Sequence, residues 1–113
     1  MMIFTALADP TRFRIVEMLA LNGRMPASQI SQKFTTSAPA ISQHLKVLKE
    51  AHLVSVEINA QQRIYRLNPE GIAEIEHWIA KLRQIWERKF DALDAHLKQE
   101  LKKTQTSSKE RKK

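Results

Sequence analysis

At 113 residues and 42% hydrophobic content, the chain is long enough for one small core and too short to require a second domain. It contains no cysteine, which excludes a disulfide framework, a thiolate metal site and a cysteine nucleophile. A formal net charge of +7 points to an anionic partner, and the charge is unevenly placed: residues 98–113 carry seven cations and two anions, residues 24–66 six and two, and residues 70–94 four and six.

The first stretch, MMIFTALADPTR, lacks the charged-then-apolar layout of a secretory leader, and no apolar run approaches the about 20 residues that cross a bilayer. A cytoplasmic protein without a membrane partner is expected. Residues 3–7 predict a short apolar helix. Asp9-Pro10 then restarts a helix, with the aspartate as N-cap and the proline at the first helical position. Phe13, Ile15, Val16, Met18, Leu19 and Leu21 make this helix apolar nearly all round, as in a core helix, and Asn22-Gly23 supplies its stop. Arg12 and Arg14 fall on the less buried side and read as surface cations.

Residues 26–34 predict a helix of about two turns, with Ala27, Ile30 and Phe34 inward and Ser28, Gln29, Gln32 and Lys33 outward. Thr35-Thr36-Ser37 is too brief for anything but a tight turn into the next helix. Ser37 is a good N-cap and Pro39 sits in the first turn, so that helix begins near Ala38. At about 100° per residue, Ile41, Leu45 and Leu48 share one inward arc, flanked by Ala38 and Lys49. Pro39, Ser42, Gln43 and Lys46 face away, with small Ala40 beside them. Such a face has little bulk and can approach phosphates and base edges closely, and its amide is able to pair bidentately with adenine. Taken alone, it fits a solvated surface helix equally well. The neighbouring helix and turn make the pair a helix-turn-helix, whose second member reads a groove while the first crosses the backbone. His44, at the edge of the inward arc, reads as a structural hydrogen-bonding residue.

Val54, Val56 and Ile58 alternate with Ser55 and Glu57, and Ile64 and Leu67 follow beyond Asn59-Ala60-Gln61-Gln62. This is a hairpin without a glycine at its tip. Directly after a helix-turn-helix it forms a wing, with Gln62 and Arg63 placed to reach the backbone or minor groove. A hairpin can also serve as a flap over the core, and the two roles are compatible. Asn68-Pro69 then opens a long helix, in which Ile72, Ile75, Ile79, Leu82, Trp86, Leu93, Leu97 and Leu101 recur by threes and fours, with Phe90 or Lys89 between. At about 1.5 Å per residue it is roughly 50 Å long. Its apolar stripe requires a partner, and a second copy of the chain is the simplest one. Residues 104–113, TQTSSKERKK, predict a disordered basic tail after a domain of residues 1–103.

LADPTRFRIVEML, ISQHLKVLKEAHLV and RIYRLNPEGI resemble, in order, segments of the ArsR family of bacterial winged-helix repressors, over about residues 3–97. The resemblance implies a homodimer paired through its first and last helices, bound to an inverted-repeat operator and released by an inducing ligand or metal. The cysteine pair of the arsenic and cadmium sensors is replaced here by Arg24-Met25-Pro26-Ala27-Ser28-Gln29. Asp94-Ala95-His96 matches half of the Asp-x-His pattern of the zinc and nickel sensors, and no histidine follows it. His77 and His96 therefore read as surface residues.

No glycine-rich phosphate loop, nucleophile elbow or His-Glu-x-x-His motif occurs, so no enzyme is expected. The expected fold is mainly α with a small β-hairpin, a winged helix-turn-helix with a long C-terminal dimerisation helix. The expected DNA-binding set is Thr36, Ser37, Pro39, Ala40, Ser42, Gln43, Lys46, Gln62 and Arg63, with Ser42 and Gln43 on bases and Thr36, Ser37, Lys46 and Arg63 on phosphates or the minor groove. The expected dimer set is Ile3, Phe4, Leu7, Ile79, Leu82, Trp86, Leu93 and Leu97. Partners are double-stranded DNA and a second copy, with no metal or cofactor predicted and an inducer of unknown identity. The alternative function is a winged-helix module that binds protein without reading DNA.

Overall fold

Two capped prolines and one glycine stop punctuate the helical half of the chain as the sequence suggests. The structure is a computed structural model that describes the backbone of residues 2–111 and the side chains of residues 2–103. Helix α1 is Met2–Leu7 and α2 is Pro10–Asn22. The Asp9 carboxylate caps α2 by accepting from the N–H groups of Thr11 at 2.8 Å and Arg12 at 3.1 Å. Gly23, with φ of 83°, ends it, its N–H donating to the Leu19 carbonyl at 2.8 Å. Strand β1 (Arg24–Pro26) leads into α3 (Ala27–Gln32), and α4 is Ala38–Glu50. Ser37 caps α4 through its hydroxyl, which accepts from the Ala40 N–H at 3.3 Å.

Strands β2 (Val54–Asn59) and β3 (Gln62–Leu67) follow, and α5 runs from Pro69 to Arg111. The three strands form one antiparallel sheet in the order β1-β3-β2, with Met25 opposite Tyr65 and Val56 opposite Tyr65 on its other side. The predicted hairpin is therefore two-thirds of a sheet. Strand β1 lies inside the segment read as the approach to a helix, because three residues are too few to show alternation and form a strand only against β3. Helix α3 is correspondingly shorter than expected and ends before Lys33.

Two compact units are distinguished, Met1–Glu76 and His77–Lys113. In the first unit, Ile15 and Leu19 of α2, Met25 of β1, Ile30 of α3, Ile41, Leu45 and Leu48 of α4, and Leu53 and Val54 are fully buried. Removing each from water stabilises the fold by roughly 1.5–3 kcal/mol. The expected inward arc of α4 is thus the buried one.

Helix α2 departs from expectation. Phe13 and Leu21 are exposed, so it buries one side and not the whole circumference. Arg12, expected on the surface, is partly buried: its Nε donates to the Ala6 carbonyl of α1 at 2.7 Å and its Nη1 lies 3.2 Å from His44 Nδ1 of α4. Arg14 is exposed, with its guanidinium 5.6 Å from the centre of the Phe34 ring.

The second unit is the continuation of α5 alone. Ile79, Leu82, Trp86, Leu93 and Leu97 are all exposed on it, as are Trp78, Ile85, Phe90 and Leu101. Helix α5 extends by backbone into residues 104–111, the segment expected to be a disordered tail, and the side chains of that segment lie outside the described residues.

Candidate nucleic-acid interface

The inward arc of α4 anchors the helix and leaves its opposite side free. Ser42, Gln43 and Lys46 are exposed on that side, and so is Lys49, which stands seven residues beyond Ser42 and hence on the same face. The wing supplies a second wall. Register pairs Ile58 with Arg63 and Val56 with Tyr65, so these four share one face of the β2-β3 ribbon, while Glu57, Ile64, Ser55 and Arg66 share the other.

Between the walls lies an open cleft of about 450 Å³, lined by Ser42, Gln43, Lys46 and Lys49 of α4, by Ala27 of α3, and by Val56, Ile58, Arg63 and Tyr65 of the wing. Three cations line it and no acid does. The basic residues on the opposite face of the sheet are engaged elsewhere: Arg24 pairs with Glu57 at 2.7 Å, and Arg66 Nε donates to the Ser55 hydroxyl at 3.3 Å. On the cleft side Arg63 of the sheet adds to Lys46 and Lys49 of α4, with no acid lining the cleft to offset them.

The expected DNA-binding residues fall into three places. Ser42, Gln43, Lys46 and Arg63 meet in the cleft. Gln62 and Arg63 line a neighbouring depression with Gln61 of the wing tip and Pro26, Ala27 and Ser28 at the start of α3. Thr36, Ser37, Pro39 and Ala40 lie apart from both, at the turn and first turn of α4, where Ser37 is also the cap. Sequence reasoning missed Lys49, Ile58 and Tyr65. The signal for Lys49 was available, since the steps 42, 46 and 49 keep one face of a helix. Tyr65 is buried and Ile58 exposed, and nothing in their local pattern distinguished the cleft face from its reverse.

The wing turns at Ala60-Gln61, and Ala60 has φ of 56°. Positive φ at the first central residue of a two-residue loop and not at the second is the pattern of a type II′ turn, in which glycine is favoured at the first position. The missing tip glycine is thus met by an alanine in the left-handed region.

The proposed dimer residues also separate. Ile3 belongs to the core of its own unit, and Phe4 and Leu7 pack against that core. On α5, Asp94 accepts an ion pair from Lys98 at 3.3 Å and His96 lies 4.0 Å from Glu100, so the Asp-x-His fragment is taken up in pairs along one helix. Among the described residues no three His, Cys, Asp or Glu side chains gather into a group able to hold a metal ion, and no helix is long and apolar enough to cross a membrane.

A helix-turn-helix whose second helix presents a polar, basic face across from a β-ribbon defines a winged-helix DNA-binding protein. Residues 9–56 match the model of the bacterial regulatory proteins of the arsR family. The HTH-type transcriptional regulator Rv2034 of Mycobacterium tuberculosis is 42% identical over 83 residues, 74% of each chain. The transcriptional repressor SdpR of Bacillus subtilis is 36% identical over 77 residues, 68% of this chain and 84% of that one. Among solved structures, an ArsR-like transcriptional regulator from Rhodococcus sp. RHA1 superposes with a TM-score of 0.68 at 25% identity, covering 81% of this chain and 86% of the other. A homodimeric winged helix-turn-helix DNA-binding domain of Mycobacterium bovis shares the fold at 22% identity, with a TM-score of 0.60, covering 74% of this chain and 76% of that one. The chain belongs to the arsR family, and it is a DNA-binding transcriptional regulator.

Proposed function

We propose that the protein is a homodimeric cytoplasmic repressor, without enzymatic activity, that binds an inverted-repeat operator. Two copies of α4 would enter successive major grooves about 34 Å apart. Gln43 and Ser42 read base edges, while Lys46, Lys49 and Arg63 hold the phosphate backbone on either side, and Thr36 and Ser37 meet it at the start of the helix. The observation that carries this reading is the cleft itself, in which an amide, a hydroxyl and three cations converge without an acid. The repressor named among the relatives and the homodimer among the structural neighbours support the same reading.

The test is a fluorescence-anisotropy titration against the protein's own upstream DNA and a scrambled duplex at two salt concentrations. Tight binding to the upstream DNA that weakens steeply with salt, with far weaker binding to the scrambled duplex, is expected. Equal, weak binding to both duplexes overturns specific operator recognition.

A further inference from the structure

The cleft between α4 and the wing carries more apolar surface than a duplex calls for. Val56, Ile58 and Tyr65 line its wing side, and Ile58 is 71% exposed. Register sets these three on one face of the β2-β3 ribbon together with Arg63. DNA presents phosphates and polar base edges, and the thymine methyl is its one apolar group in the major groove. A floor of two aliphatic side chains and an aromatic ring is therefore left over once the polar residues are assigned to DNA.

Tyr65 adds an independent observation. It is only 6% exposed, yet its hydroxyl has no hydrogen-bond partner among the described residues. No enclosed side-chain nitrogen or oxygen of those residues lacks a partner, so this hydroxyl is reached by solvent. A buried tyrosine hydroxyl ordinarily finds a partner. Here it is a free donor on a residue that lines the cleft.

Charge completes the site. Lys46 and Lys49 stand one turn apart on α4, Arg63 is two residues and thus about 7 Å from Tyr65 along β3, and no acid lines the space. At about 450 Å³ the cleft falls within the ordinary range of small-molecule sites, which combine an apolar lining with a few converging polar groups. A flat aromatic body would cover Val56, Ile58 and the Tyr65 ring. A carboxylate at its end would accept from the forked Arg63 guanidinium and from the Tyr65 hydroxyl, with the two lysines supplying further positive charge.

Resting on the operator reading above, we propose that this cleft also binds a small aromatic carboxylate, which releases the operator by direct competition. The same three cations cannot serve the carboxylate and the phosphates at once, and a ring lying on the wing stands between Gln43 and a base edge. Release then requires no relay from a distant site.

Sodium cinnamate is titrated into the isotope-labelled full chain without DNA and followed by amide NMR shifts, with sodium acetate as the charge without the ring and cinnamamide as the ring without the charge. Saturable cinnamate shifts centred on residues 38–50 and 54–67 are expected, with binding about tenfold or more tighter than that of either control. Shifts centred elsewhere, or equal binding of cinnamamide, overturn the site. Tyr65→Phe keeps the ring and is expected to weaken cinnamate several-fold, and an unchanged affinity overturns the role given to the hydroxyl. In the second arm cinnamate is added to the operator titration at constant ionic strength. Cinnamate at about ten times its own dissociation constant is expected to weaken operator binding tenfold or more, as two ligands sharing one site require. Cinnamate that occupies the cleft and leaves operator affinity unchanged overturns the competition. Tight operator binding without cinnamate binding overturns this inference alone, whereas cinnamate in the cleft without operator preference overturns the repressor reading and upholds the ligand site.

Discussion

Arg12 of α2 and His44 of α4 are joined at 3.2 Å, and the same guanidinium reaches the Ala6 carbonyl of α1 at 2.7 Å. His44 is the residue after Gln43, so the exposed face of α4 is steadied from behind by a cation that the first two helices share. Arg12→Ala is expected to destabilise the fold by about 1.5–3 kcal/mol, the range for hydrogen bonds from a charged donor. Lysine, with no forked donor, should not restore it. Urea denaturation of the two variants checks this, and a loss under 0.5 kcal/mol for Arg12→Ala would show that the bridge contributes little.

Asp9 gives the clearest pH dependence. Its carboxyl is held below its ordinary value of 3.8, chiefly because the Arg12 N–H donates to it, with Thr11, His44 and Arg12 charge adding to the effect against some burial. A lowered folded-state value means that the cap's contribution is present above 3.8 and is lost as pH falls through the lower, folded value. Asp9→Ala should cost about 1 kcal/mol at pH 7. The gap between it and the parent should close in denaturant titrations run well below pH 3.8, whereas Asp9→Asn, which caps without ionising, should stay close to the parent at pH 7.

The cleft separates two kinds of side chain. Gln43→Ala should reduce discrimination between operator and mutated operator by about 1–3 kcal/mol, the worth of one bidentate amide-adenine contact. Arg63→Ala and Lys49→Ala should each weaken all duplexes alike and flatten the salt slope by about one unit. Competition binding at several salt concentrations measures both quantities. An equal loss on every sequence for Gln43→Ala would remove it from base reading.

Gly71 lies where the first turn of α5 meets the turn after α4. A Cβ built there would collide with the carbonyl of His52, a residue itself at φ of 60°, and would crowd the backbone of Leu53. The neighbouring atoms are main chain and are tied by the Asn68 N–H donating to the Leu53 carbonyl at 2.9 Å, so they cannot turn aside as a side chain would. Gly71→Ala is expected to cost about 1–3 kcal/mol, as overpacking does, read from thermal or urea unfolding. Unchanged stability would mean that the α4-β2 turn is free to move.

At the wing tip the expectation runs the other way. Ala60→Gly relieves a left-handed alanine, worth roughly 1–2 kcal/mol, against an unfolded-chain entropy cost of about 0.5–1 kcal/mol. A small gain in melting temperature is expected with operator preference unchanged, and a lower melting temperature would contradict the II′ assignment.

What could be read from residues alone was whatever local chemistry dictates. Asp9-Pro10, Ser37 with Pro39, and Asn68-Pro69 mark helix starts by supplying a capping oxygen and a residue with no N–H to satisfy, and all three helices begin there. Ile41, Leu45 and Leu48 repeat at helical spacing and are the buried face. What escaped depends on distant partners. Met25 becomes a strand residue only because Tyr65 lies opposite it, and Arg12 is drawn inward only because Ala6 and His44 converge on it. Phe13 and Leu21 look like core by type, and are exposed because α2 packs along one side only.

Strand β3 occupies the middle of the sheet, bonded to β2 on one edge and to β1 on the other, and β1 passes straight into α3 at Pro26-Ala27. The wing and the helix-turn-helix are therefore two jaws of one fixed gauge, with the centre strand as its shared spine. A jaw cannot be opened without unzipping that spine. On the proposed operator reading, each subunit measures a set width of duplex, and a base pair inserted between the stretch assigned to α4 and the stretch assigned to the wing is expected to leave one jaw off its footing instead of stretching the protein to fit.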